Sequence, residues 1–251
     1  MTATGSRAHI PSATAPDFAL ASLSIVLPCL NEEANVADAI RNAASAASMT
    51  ARDYEIIVVD DGSSDGTAAI AVRFGEADSR VRLVVHAHNR GYGDAVRSGI
   101  AAARMEWVLL TDADLQFDLR ELADFVPVTR SADVVWGWRI LRQDSLARRA
   151  AAAAWNRLVD RLFGLEVRDV DCAFKLIRRD VLERFELRSS GAMISTELAV
   201  RCRGAGARFA ELGVHHRPRL AGEETGGDPR VIARAFRELT AMYGTLHRAS
   251  R

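Results

Sequence analysis

Five short runs of the chain are apolar from end to end. They are "SLSIVLP" (Ser22 to Pro28), "YEIIVVD" (Tyr54 to Asp60), "VRLVVH" (Val81 to His86), "WVLLTD" (Trp107 to Asp112) and "ADVVWGW" (Ala132 to Trp138). A strand with one wet face alternates apolar and polar residues, whereas a strand covered on both faces does not. Between the runs lie stretches with helical spacing: Glu33 to Ala47, Thr67 to Phe74, Gly93 to Arg104 and Leu119 to Thr129. Strand and helix in regular alternation predict right-handed parallel crossovers. The expected fold is α/β: a Rossmann-like, mostly parallel sheet flanked by helices in a single domain.

The second half is less regular. Ser145 to Leu165 reads as one helix and Asp169 to Ile177 as an extended or loop segment. Thr196 to Arg203 reads as a helix carrying Glu197, and Arg208 to Val214 as a strand. Pro229 to His247 reads as a closing helix. Residues 1–22 hold Pro11, Pro16 and many small residues without the apolar core of a signal peptide, and are expected to form a loose, disordered tail. The domain then covers residues 23–228, with a ligand-binding half at 23–138, a second-site half at 139–228 and a closing segment at 229–251.

Composition removes some function classes. Lys+Arg and Asp+Glu are both 33 among 251 residues, so no net positive charge calls for nucleic acid. Lys175 is the only lysine, so an anionic ligand must be gripped mainly by arginine. Cys29, Cys172 and Cys202 are odd in number and far apart, which fits reduced thiols in a cytosolic protein. No apolar run reaches the roughly 18 residues that suggest a membrane span.

Each of the first four apolar runs ends in a polar cluster: "PCLNEE", "DDGSSDGT", "HNRGYGD" and "DADLQ". Parallel α/β sheets bind ligands at the carboxyl ends of their strands, so four clusters there define a site. Asp112 and Asp114 are spaced D-x-D, and their repulsion is relieved by a hard divalent cation, Mg²⁺ or Mn²⁺, with positions left for diphosphate oxygens. Asp60 and Asp61 can accept from a nucleobase imide. Ser64 or Asp65 can cap the helix beginning near Gly66. Asn31 can cap the first helix, while Glu32 or Glu33 faces a base or ribose. Gly91 and Gly93 allow close backbone approach. Val96 stands at the third glycine position, so this is no dinucleotide fingerprint, and no P-loop is present.

Taken together, Pro28-Cys-Leu-Asn-Glu-Glu, Asp60-Asp-Gly-Ser-Ser-Asp-Gly-Thr, Asn89-Arg-Gly-Tyr-Gly and Asp112-Ala-Asp-Leu-Gln resemble the family 2 glycosyltransferases of GT-A fold. The resemblance extends from about Ser24 to Gly222 and is greatest to dolichyl- or polyprenyl-phosphate sugar transferases. It implies an inverting, metal-dependent transfer from a nucleotide-diphosphate sugar, with UDP or GDP as the carrier. Asp61 would contact the base, Asn31 and Glu33 would help bind the nucleoside, and Asp112 and Asp114 would hold metal and diphosphate. Pro28, Asp60, Asn89, Gly91, Ala113 and Gln116 complete the donor-binding set that the motifs imply.

The acceptor motifs match less fully. "RDVDCAFKL" is similar to a DxTSGFR pattern through Asp169, Phe174 and Lys175, with Ala173 in place of glycine. "STELAVR" supplies Glu197 and Arg201. "RLAGEET" is similar to RxxGESK through Arg219, Gly222 and Glu223, with Glu224 and Thr225 replacing serine and lysine. The implied acceptor-binding residues are Arg139, Lys175, Arg217 and Arg219, with Arg142 nearby. The catalytic carboxylates are Asp114, Asp169, Asp171 and Glu197, the last three being candidate bases for a hydroxyl acceptor.

Several alternatives stay open at this level. The acceptor is a polyprenyl phosphate at the cytoplasmic face of the membrane, or a soluble glycan or metabolite. The chain could also bind nucleotide-sugar without turnover. In "SLARRAAAAAWNRLVDRLFGL", Leu146, Ala150, Ala154, Leu158, Val159, Leu162 and Phe163 share a helical face that either lies on a bilayer or packs on the sheet. His86, His88, His215 and His216 read as ordinary strand-end residues, and Cys29 and Cys172 as packing.

Overall fold

The computed structural model describes residues 19–140, 146–218, 237–240 and 242–244. Seven strands form one sheet in the order β3-β2-β1-β4-β6-β5-β7. β1 (Leu20–Cys29) lies parallel to β2 (Ala51–Asp60) on one side and to β4 (Trp107–Leu110) on the other. β3 (Val81–Val85) continues the parallel set beyond β2. β5 (Val134–Ile140) and β7 (Phe209–His215) also run parallel to each other.

β6 (Lys175–Arg178) is the exception, running antiparallel between β4 and β5. The sequence predicted only an extended or loop segment here. The four residues are short of a clear strand signal, and their direction is set by the neighbours they slot between. The reversal carries the segment 169–174 to the same sheet edge as the carboxyl ends of β4 and β5. Leu110 pairs with Lys175 there, and the Gly137 N–H donates to the Phe174 carbonyl at 2.8 Å.

Uniformly apolar strands are covered on both faces, as burial requires. Leu23, Ile25 and Leu27 join one core with Val36, Ile40 and Ala43 of α1 (Val36–Thr50) and Phe125 of α4 (Leu122–Phe125). α2 (Thr67–Ala77) contributes Ala71 to that core. Val26, Ile57 and Val108 join the opposite core with Ala95 and Val96 of α3 (Tyr92–Ala102). That core also takes Val159 of α5 (Leu146–Phe163), Val181 and Leu182 of α6 (Arg179–Leu182), and Leu198 and Cys202 of α7 (Ile194–Gly204). A fully buried Val, Leu or Ile contributes about 1.5–3 kcal/mol, so these two layers hold the strand ends in fixed register.

Three expectations need correction. The helix predicted over Leu119 to Thr129 is a single α-turn, α4, between 3₁₀ turns at Leu119–Glu121 and Val126–Arg130. Pro127 lacks the N–H that a continuing α-helix needs. α1 begins at Val36, after a turn in which the Glu32 carbonyl accepts from Asn35 and Val36. Asn31 therefore does not cap α1, and its side chain instead accepts the Ser64 N–H at 2.9 Å.

The described part of the α5 face packs inside the protein. Trp155, Leu158, Leu162 and Phe163 lie against Met193, Leu239 and Met242. The side chains of Leu146 and Ala150, Arg142, the Arg219 to Thr225 motif, residues 1–18 and most of the expected closing helix lie outside the described residues. Within that last stretch, 237–240 and 242–244 are helical.

Candidate active site

β2, β1 and β4 are adjacent, so their three polar clusters meet at one edge of the sheet. The first two clusters are laced together by their own polar groups. The Asn31 N–H donates to Ser63 Oγ at 2.9 Å, Glu32 N–H to Thr67 Oγ1 at 2.9 Å, and Glu33 N–H to Asp65 Oδ2 at 3.1 Å. In return Gly66 N–H donates to Glu33 Oε2 at 2.9 Å. Asp65 also accepts the Thr67 N–H at 3.0 Å, but the N-cap position of α2 is Gly66, so neither Ser64 nor Asp65 is the cap the sequence offered. Partial burial works against the Asp65 anion, but the Thr67 and Glu33 hydrogen bonds outweigh it and lower its pKa.

Asp60 and Asp61 end β2 and are both buried. Asp60 Oδ1 accepts the Ser63 N–H at 3.3 Å. Asp61 is held on several sides: His86 Nδ1 approaches Oδ1 at 2.6 Å, Arg90 N–H donates to Oδ1 at 3.0 Å and Gly91 N–H to Oδ2 at 2.8 Å. The aspartate expected at the base therefore organises the β3–α3 loop. Asn89 is exposed on that loop, and half-buried Pro28 lies beside Val59. Gly62 has φ +75°, and a Cβ there would sit 2.5 Å from the His88 carbonyl carbon.

The third cluster follows β4. Asp112 is half-buried and accepts from the Tyr92 hydroxyl at 3.0 Å. Ala113 is buried, and Asp114, also buried, accepts the Gln116 N–H at 3.1 Å. Leu115 adopts φ +63°, a left-handed conformation uncommon for a non-glycine residue and the kind of local strain found at ligand sites.

The electrostatics fit a cation. Burial first, and then the negative charges of Glu32, Asp60 and Asp112, push the Cys29 thiol pKa well up. The strand ends thus carry a concentration of negative charge. Among the described residues no three His, Cys, Asp or Glu side chains gather into a ready metal cage. Two carboxylates plus substrate oxygens is a normal shell for Mg²⁺, and Mn²⁺ shares its oxygen-ligand chemistry. The donor set therefore fits a cation that arrives with a diphosphate.

The second-half residues reach the same edge. Arg139 donates through Nε and Nη2 to both oxygens of Asp169, at 2.7 and 2.8 Å. Burial pulls the Arg139 pKa down, but this bidentate pair overrides it and raises it. Asp171 is exposed two residues on. Cys172 is buried beneath Gly137, and burial pushes its thiol up to about 12. Lys175 is 2% exposed, donating to Ser195 Oγ at 3.2 Å with its ammonium 4.8 Å from the Trp136 ring centre. Burial lowers its pKa.

Glu197 is 2% exposed and accepts the backbone N–H groups of Arg188 and Ser189 at 2.9 and 2.7 Å. In this arrangement it anchors a loop. Arg217 is exposed, pairs with Asp118 at 2.7 Å and exchanges hydrogen bonds with Gln116, so the segment after β7 is stitched to the loop after Asp114.

Sequence reading took His86 as an ordinary strand-end residue and gave Tyr92 no role of its own. The strand register held a signal for the first: Asp60 pairs with Val85, which sets Asp61 beside His86. Tyr92 had none, because its contact with Asp112 spans 20 residues.

Comparisons with known proteins agree with this geometry. The family described as Glycosyl transferase family 2 matches residues 24–185. An undecaprenyl-phosphate 4-deoxy-4-formamido-L-arabinose transferase of Shewanella sediminis is 33% identical over 227 residues, covering 88% of this chain and 66% of that relative. The Salmonella choleraesuis protein of the same name is 30% identical over 228 residues, covering 89% of this chain and 68% of the relative. The chain thus spans about two thirds of the length of these relatives.

Among solved structures, glucosyl-3-phosphoglycerate synthase from Mycobacterium tuberculosis, in complex with Mn²⁺, UDP-glucose and phosphoglyceric acid, superposes with a TM-score of 0.69 at 18% identity. The match covers 94% of this chain and 86% of that one, a likeness of fold. Sheet order, strand-end acids and sequence similarity agree that this chain belongs to glycosyl transferase family 2 and has the GT-A fold.

Proposed function

We propose that the protein transfers a sugar, with inversion, from a UDP- or GDP-sugar to a polyprenyl phosphate. The observation that carries this is that Asp112 and Asp114, after β4, share one sheet edge with Asp60 at the end of β2, one strand apart, and with Arg139 of β5. The lipid-phosphate acceptor is supported by the name of the 33%-identical relative.

Asp112 and Asp114 would hold Mg²⁺ or Mn²⁺, which when bound stabilises charge on the leaving diphosphate. Asp60, Asn31 and Glu33 would grip the nucleoside, with the Asp61-held loop carrying Asn89 and Gly91 beside it. The acceptor phosphate oxygen attacks the anomeric carbon as its bond to the diphosphate oxygen breaks, so nucleoside diphosphate leaves from the opposite face. A phosphate monoester has its second pKa at about 6, so this nucleophile is already charged near neutral pH. It needs cations more than a base, and Arg139, Lys175, Arg217 and Arg219 are assigned to it. For a hydroxyl acceptor, Asp171, Asp169 or Glu197 would serve as base. Among the described residues no helix is long and apolar enough to cross a membrane. A peripheral position at the inner face of the plasma membrane gives access to a lipid head group.

The test pairs UDP- and GDP-sugars with undecaprenyl phosphate in detergent, with Mn²⁺, Mg²⁺ or EDTA. Lipid-linked sugar should form only with metal. Asp114→Ala should lower turnover on the order of 10³-fold while the melting temperature holds. Product on soluble glycans alone would remove the lipid acceptor, and full activity in EDTA would remove the metal.

A further inference from the structure

The geometry points to Tyr92 as a positioning residue for the cation-binding carboxylate Asp112, clamped between the nucleotide end of β2 and a loop from the second half of the chain. The inference rests on the metal reading above.

The contact itself is a 3.0 Å hydrogen bond from the Tyr92 hydroxyl to Asp112 Oδ1. What makes it more than a surface contact is how Tyr92 is held. The residue before it, Gly91, donates its N–H to Asp61 Oδ2 at 2.8 Å. The residue after it, Gly93, donates its N–H to the Ser190 carbonyl at 3.0 Å. The Ser190 loop is fixed in turn by Glu197, which accepts from Arg188 and Ser189. Tyr92, 37% exposed, lines a small cavity together with Leu110 of the first half and Lys175 and Ser195 of the second.

Asp112 thus accepts a hydrogen bond from a hydroxyl whose place depends on both halves of the chain. Groups that hydrogen-bond a metal ligand fix its direction, and their removal commonly costs about 10- to 100-fold in metal affinity. Gly93 makes the clamp close. A Cβ there would lie 2.5 Å from the Ser189 carbonyl oxygen and 2.7 Å from the Ser190 carbonyl carbon, so any side chain must push that loop away.

The experiment measures Mn²⁺ affinity by electron paramagnetic resonance, in the presence of UDP and separately of GDP. Tyr92→Phe keeps the ring and its packing and removes only the hydroxyl. It should weaken Mn²⁺ binding about tenfold, while binding of the same nucleotide in EDTA and the melting temperature stay at wild-type values. Gly93→Ala should weaken Mn²⁺ binding in the same direction by displacing the loop, with the hydroxyl present. Wild-type Mn²⁺ affinity in Tyr92→Phe overturns the assignment. So does equal loss of nucleotide binding in EDTA, which would make Tyr92 a general structural support. A wild-type chain that binds nucleotide but no Mn²⁺ would overturn the metal reading itself, an outcome visible before any variant is compared.

Discussion

Strand-end acids in the two halves of the chain are held by different partners. In the first half they take backbone N–H groups: Asp61 from Arg90 and Gly91, Glu33 from Gly66, Asp65 from Thr67 and Glu33, Asp114 from Gln116. In the second half Asp169 takes a guanidinium group instead, forked by Arg139. A backbone N–H is a fixed dipole and leaves the carboxylate's charge in place. A guanidinium cancels it. The first arrangement keeps its negative charge, as the proposed cation site requires, while the second is near neutral.

The largest expected effect on stability tests the guanidinium-held side. Asp169→Ala leaves the mostly buried Arg139 uncompensated and should cost about 3 kcal/mol in urea unfolding. A loss below 1 kcal/mol would mean that Arg139 finds water or another acid, and the contrast between halves would weaken. Next is the backbone of the donor side. Gly62→Ala forces a side chain into a left-handed conformation against His88 and should destabilise by about 2 kcal/mol. A neutral result would show that this loop yields easily.

Asp65→Ala removes a backbone-held acid and should cost about 1 kcal/mol, clearly less than Asp169→Ala. Equal costs would erase the distinction. The smallest effect concerns Asp118, which joins the halves through Arg217. Hydrogen bonds from Arg120, only partly offset by burial, hold its pKa at about 2, below its ordinary 3.8. A depressed carboxylate lends stability above its unfolded pKa and loses it as pH falls through the folded one. Its contribution should therefore fade between about pH 4 and 2. Both arginine partners are exposed, so Asp118→Asn should flatten that window by only about 0.5 kcal/mol. Stability curves of the two proteins that coincide over this range would show that the link carries no energy.

Much of the donor side was legible in the sequence. Five apolar runs became β1 to β5: burial on both faces leaves few polar positions in the central strands, while edge strand β3 is only partly covered, with Val85 57% exposed. The strand-end clusters were found because a parallel sheet sends every carboxyl end to one edge. Legibility failed where partners are remote or direction is contextual. Asp169 was read as a base or as an acid orienting a loop or an arginine, and nothing local tells that the arginine would be Arg139, 30 residues earlier. The helix pattern around Glu197 likewise carries no trace of the N–H groups it accepts from Arg188 and Ser189.

By itself the sequence determined the α/β class, the parallel core, the strand-end polar clusters and the D-x-D spacing, because each follows from periodicity and spacing along a single segment. Tertiary structure alone decided the antiparallel insertion of β6, the closure of Asp61 on the β3–α3 loop and the reach of Tyr92 to Asp112. Those depend on which segments become neighbours, and neighbours far apart in sequence are chosen by the packing of the whole sheet.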